Sequence, residues 1–82
     1  AAGPAGDAAR MTFARQVADL DPESALRWAD TVTDVTMREG TIDHVFNDWL
    51  TRDRVSAKQF LQKSGWSGER LGRLREALNP NP

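Results

Sequence analysis

The chain has 82 residues, with eleven Lys/Arg against twelve Asp/Glu for a net charge of −1, one His and no Cys. A chain this short holds one domain at most and buries only about 60–65% of the surface its unfolded form exposes, so a deep catalytic cleft is not expected. The missing Cys exclude a disulfide framework, a thiolate metal site and a Cys nucleophile, and a single His excludes a two-His metal cluster.

No uninterrupted apolar run approaches the roughly 18 residues of a membrane span, and the start lacks a basic stretch followed by an apolar one. The chain therefore reads as soluble, away from the membrane, and cytoplasmic rather than secreted.

In chain order, residues 1–10 carry two Gly and a Pro among small residues and are expected to be a linker or tail. Helical spacing begins near residue 8 and runs to about 20, with Met11, Phe13, Ala14, Val17 and Ala18 on one stripe. Asp21-Pro22-Glu23 then supplies an N-cap, a proline at the first helical position and an acid in the first turn, opening a second helix over 22–32 with Ala25, Trp28, Ala29 and Val32 inward. Asp34 caps a third helix over 35–51, whose stripe is Ile42, Val45, Phe46 and Trp49. Asp53 caps a fourth over 54–64, with Ala57, Phe60 and Leu61 inward, and Gly65 suits the left-handed residue that ends it. Ser67 is the expected cap of a fifth helix over 68–78 carrying Leu71, Leu74 and Leu78, and residues 79–82 form a second tail. The predicted core is Val17, Trp28, Ile42, Val45, Phe46, Trp49, Phe60, Leu61, Leu71 and Leu74.

Residues 13–46 superpose on 45–78 at an offset of 32 without a gap. Asp21 meets Asp53, Ser24 meets Ser56, Ala25 meets Ala57, Arg38 meets Arg70 and Gly40 meets Gly72. The apolar positions follow, with Trp28 on Phe60, Ala29 on Leu61, Ile42 on Leu74 and Phe46 on Leu78. Two helices per unit of this length belong to α-solenoids, where one hairpin cannot bury its apolar face alone and stacks on its neighbour. The expected fold is all-α: four to five helices over residues 11–78 as two stacked antiparallel hairpins, α-solenoid-like or a small helical bundle.

The run Leu20-Asp21-Pro22-Glu23-Ser24-Ala25-Leu26-Arg27-Trp28-Ala29 resembles the Asp-Pro-Glu-x-Ala-x-x-Trp units of bacterial tandem helical-hairpin repeats, which are broadly similar to tetratricopeptide repeats. The likeness covers roughly residues 13–78. It departs at Arg54, where Pro would stand, and the Trp-x-x-Leu-Gly-x-x-Tyr signature of tetratricopeptide repeats is lacking. The resemblance implies scaffolding or peptide binding and brings no catalytic residue with it.

Few residues suggest chemistry. His44 has Asp43 beside it and Asp48 one turn on, a spacing that lets a carboxylate orient an imidazole, but no nucleophile is fixed nearby. Asp19, Asp21 and Glu23 suit a helix N-terminus better than a cation site. Trp66 stands apart from the apolar stripes, between Gly65 and Ser67, and either plugs the gap between the last two helices or serves as a binding anchor.

Residues 56–74 also fit a helix-turn-helix, with Leu61 inward, Gly65 in the turn and Glu69, Arg70 and Arg73 offered to DNA. Residues 52–82 hold seven Lys/Arg against three Asp/Glu, net +4, whereas residues 1–51 hold four against nine, net −5. The basic half suits phosphates, but pairing of Arg73 with Glu69 and Glu76 on its own helix is the plainer expectation. The asymmetry also suits head-to-tail contact between like modules.

Together these features favour a non-enzymatic protein-interaction or scaffolding module taken from a larger protein, needing no cofactor or metal. Its expected partners are another protein, a peptide or neighbouring repeats, contacted through Trp66, Arg70, Arg73 and Lys63. DNA binding through residues 56–78 is the competing reading.

Overall fold

The computed structural model describes residues 4–79, which form five helices: α1 (Pro4–Val17), α2 (Pro22–Ala29), α3 (Val35–Arg52), α4 (Arg54–Lys63) and α5 (Gly68–Leu78). No strand occurs among the described residues, so the protein is an all-α bundle. Nor is any described helix long and apolar enough to cross a membrane.

Local hydrogen bonds explain most helix starts. The Asp21 carboxylate accepts from the Ser24 amide at 3.2 Å and from its hydroxyl at 2.7 Å. Asp53 repeats this on Ser56 at 3.1 and 2.6 Å, and the two aspartates share a backbone shape, φ −149°, ψ 82° and φ −153°, ψ 83°. Asp34 accepts from the Met37 amide at 2.8 Å and opens α3. The three amide bonds satisfy donors that the first helical turn leaves without a partner, and the two serine hydroxyls hold the carboxylates in place.

The start of α5 differs from expectation. Ser67 is extended but its side chain makes no capping bond. The turn is shaped instead by two glycines in the left-handed region, the anticipated Gly65 at φ 75° and Gly68 at φ 68°, which bracket Trp66.

The start of the chain also differs. The linker expected over residues 1–10 is helical from Pro4 onward, and Asp7 is buried at 2% exposure. Asp7 accepts from the Thr33 amide at 2.8 Å, the Thr33 hydroxyl at 2.6 Å and the Asp34 amide at 3.0 Å. These bonds join α1 to the connection between α2 and α3, and they hold the Asp7 carboxyl below its usual range, the Thr33 hydroxyl contributing most. Of the tail expected over 79–82, Asn79 ends α5 by donating its amide to the Arg75 carbonyl at 3.1 Å, and residues 80–82 lie outside the described residues.

α3 is the hub. α1 and α2 pack on it and on each other, and α4 and α5 do the same. The core contains Leu26, Ile42, Val45, Phe46, Leu61 and Leu74, each at most 5% exposed, with Trp49 at its edge. Removing a side chain of this size from water contributes about 1.5–3 kcal/mol.

Positions 32 residues apart match in burial: Ala25 with Ala57, Ile42 with Leu74, and Phe46 with Leu78 are all buried. Trp28 corrects the expected core. It is 44% exposed, because α2 buries the arc Ala25–Leu26–Ala29 and leaves Trp28 at its margin, edge-on to Phe13 with ring centroids 4.9 Å apart. Val17, Phe60 and Leu71 are only half-buried, packed against the core rather than within it.

Candidate partner-binding groove

α2 and α4 both rest on α3, and between them opens a groove of about 390 Å³. Its floor is aromatic. Trp49 from α3 meets Phe60 of α4 with ring centroids 5.5 Å apart, and Phe60 meets Trp66 edge-on at 5.4 Å. Each ring thereby presents edge or face to its neighbour, the arrangement the aromatic quadrupole favours. One wall is the polar stripe Glu23, Arg27 and Asp30 of α2, and the other is Ser56, Gln59 and Lys63 of α4.

Behind Trp66 lies an ionic cluster. The Arg70 guanidinium sits 4.7 Å from the Trp66 ring centroid, donates from Nε to Glu39 at 2.9 Å and pairs with Asp30 at 2.9 Å. Arg73 donates to Asp43 at 3.0 Å and to Glu39 at 2.8 Å, and Arg38 reaches Glu39 at 2.9 Å. Three arginines thus surround one carboxylate. Glu39 is held far below the usual carboxylate range, first by the hydrogen bond from Arg70, while Arg70 and Arg73 are pushed further up by Glu39 and Asp43 respectively. The cluster fastens α5 to α3 and fixes Trp66 at the end of the groove, with an arginine against one face.

Of the four residues anticipated as contacts, Trp66 and Lys63 line the groove. Arg70 supports Trp66 from behind, with 17% of its side chain exposed, and Arg73 lies on the seam between α3 and α5. The partners expected for Arg73, Glu69 and Glu76, are replaced by Asp43 and Glu39. The surfaces that Arg70 and Arg73 would offer to a duplex are therefore turned toward α3.

The α2 wall lies outside the contacts anticipated from the amino-acid order. Glu23, Arg27 and Asp30 stand at i, i+4 and i+7, a polar stripe on the side of α2 away from Ala25 and Ala29 that marks the wall in the sequence.

The groove offers stacking and hydrogen bonding. Its hydroxyls are engaged locally, that of Ser56 with Asp53 at 2.6 Å and that of Ser64 with the Leu61 carbonyl at 2.8 Å. His44 is exposed, and the carboxylates expected beside it point elsewhere, Asp43 to Arg73 and Asp48 to Arg52 at 3.3 Å. No group of three or more His, Asp or Glu among the described residues is arranged to hold a metal ion. Compared with protein-family models, with curated proteins and with solved structures, the chain matches none.

Proposed function

We propose that this protein is a non-enzymatic interaction module that receives a short segment of another protein in the groove between α2 and α4. The observation that carries this reading is the ladder Trp49–Phe60–Trp66, laid along the floor of a solvent-open groove and backed by Arg70. Aromatic rings held rigid, Trp49 and Phe60 by their helices and Trp66 by Arg70 behind it, bury much apolar area at little cost in side-chain entropy, which makes them effective anchors. Lys63 and Arg27 on the walls add polar selection at the rim.

The same reading treats α2 and α4 as equivalent elements of 32-residue units, in the manner of bacterial tandem helical-hairpin repeats. The matching Asp–Ser caps of the two helices support it.

The test is selection of displayed peptides on the whole chain. Selected peptides are expected to lose about 2 kcal/mol or more of binding, roughly thirtyfold, on Trp66→Ala. Lys63→Glu weakens them as well, and Lys58→Glu, outside the groove, leaves them unchanged. Peptides indifferent to both groove variants sink the reading. Binding to duplex DNA that falls steeply with salt and is lost in Arg70→Ala and Arg73→Ala replaces it with the helix-turn-helix alternative.

A further inference from the structure

A second groove, of about 370 Å³, lies between α4 and α5. Leu61, Leu71 and Leu78 form its apolar lining, and Lys58 and Arg75 stand at its rim. Among the described residues no ion pair engages either cation. The groove thus combines an apolar lining, in which Leu71 is half-buried and Leu61 and Leu78 are edges of the core, with two cations that no described residue pairs.

The α1–α2 turn has the complementary chemistry. Leu20 is 89% exposed, the most exposed large apolar side chain among the described residues, and it stands between Asp19 and Asp21 with Glu23 close behind. Its backbone is held in place, since the amides of Leu20 and Asp21 both donate to the Val17 carbonyl, at 3.0 and 2.7 Å. Asp19 pairs with Arg52 at 2.6 Å, but both side chains are about half exposed or more, so the bond lies in high dielectric and opens or is shared at little cost. Leu20 is not seated in the groove of its own chain.

We propose that Leu20 of one copy inserts between Leu61, Leu71 and Leu78 of a second copy, with Asp19 and Asp21 meeting Lys58 and Arg75, so that the module associates head to tail with itself. Charge complementarity selects this occupant: Asp21, which caps α2 through the neutral Ser24, and Lys58 and Arg75 at the groove are engaged by no ion pair among the described residues, so opposite charges stand beside Leu20 and beside its seat. Two different surfaces meet, so the contact is heterologous and each added copy leaves one turn and one groove free. The proposal does not depend on the α2–α4 groove, which is lined by other residues and lies on the other side of α4.

Sedimentation velocity of the whole chain from micromolar to millimolar concentration tests it. The weight-average sedimentation coefficient is expected to rise with concentration past that of a dimer, and to rise less as salt is added. Leu20→Asp abolishes the rise, and so does the pair Lys58→Glu, Arg75→Glu; both alter exposed or rim positions, and circular dichroism checks that they fold. An equimolar mixture of the two variants forms a one-to-one complex that grows no further, because it retains a single working turn and a single working groove. Trp66→Ala leaves self-association unchanged, and Leu20→Asp leaves peptide binding unchanged, so this proposal and the peptide-binding reading fail separately. A wild type that remains monomeric throughout overturns the proposal, as does a symmetric dimer formed by either variant alone. Association seen only after residues 80–82 are deleted also overturns it, assigning the groove to the chain's own end.

Discussion

Asp7 and Thr33, 26 residues apart, are joined twice, the Thr33 amide and hydroxyl each donating to a different oxygen of the Asp7 carboxylate, at 2.8 and 2.6 Å. The second of these oxygens also receives the Asp34 amide, so one buried side chain closes the α2–α3 connection over the first turn of α1. Without it, the Thr33 and Asp34 amides lose their acceptor and the first turn of α1 loses its hydrogen bonds to the α2–α3 connection.

Asp7→Ala is accordingly expected to lower the thermal midpoint by about 4–8 °C, the shift that loss of such a contact brings to a domain of this size. Asp7→Asn falls between the two, because its amide keeps one acceptor oxygen but turns an NH2 group toward a backbone donor. Thermal unfolding followed by circular dichroism measures both. An Asp7→Ala protein that melts with the wild type removes the latch from the account.

Stability should respond to acid with a definite sign. Glu39, Asp7, Asp21 and Asp53 all have carboxyl groups lowered in the fold, Glu39 most by Arg70, Asp7 by the Thr33 hydroxyl, and Asp21 and Asp53 by the Ser24 and Ser56 hydroxyls. The unfolded chain then binds more protons than the folded one in acid, so the stability these groups contribute is complete above the unfolded carboxylate values of about 4 and is lost as pH falls below them. Arg70 and Arg73 are shifted upward and stay charged across the working range, so they add no alkaline loss there. The expected midpoint is level from neutrality to about pH 5 and falls progressively below it. Glu39→Gln should cost about 1–3 kcal/mol near neutrality and progressively less toward pH 2, as the unfolded wild type takes up a proton there that the folded carboxylate does not. Urea titrations at a series of pH values decide this, and a constant difference between the two proteins at every pH contradicts it.

The two large aromatics Phe46 and Trp28 separate burial from residue type. Phe46 is fully enclosed, and Phe46→Ala should cost about 3–5 kcal/mol, close to the whole stability of so small a domain. Trp28 is 44% exposed and touches Phe13 edge-on, so Trp28→Ala should cost only about 1 kcal/mol. Equilibrium unfolding in urea compares them directly. Equal losses would return Trp28 to the core where its helical spacing first placed it.

How much of this was legible in the sequence depends on the range of the interaction involved. The caps at Asp21, Asp34 and Asp53 act on amides three residues away, so each helix start is written within a single turn of chain. Ile42, Val45 and Phe46 share one face of α3 by periodicity alone, and burial follows for any arrangement that packs that face. Trp28 follows the same spacing rule and still escapes the core, because periodicity states which residues share a side of α2 and not how wide an arc α3 and α1 cover. Trp66 and Lys63 could be named as surface candidates, but nothing local shows that α2 supplies the opposite wall of their groove.

Contacts within one or two turns suffice to make the chain helical, to start α2, α3 and α4, and to set which small and aliphatic side chains form the stripes, so all of these can be read from the order of residues. Packing between elements far apart in the chain is what makes residues 4–10 part of a helix, gathers three arginines around Glu39, and turns Arg73 to Asp43 instead of Glu69 and Glu76. A charged side chain has several possible partners along its own helix and across the bundle, and the choice depends on distances set when α3 and α5 pack together. The −5 and +4 halves are visible in the amino-acid order, but the fold is what places Leu20 on one surface and the groove of Leu61, Leu71 and Leu78 on another.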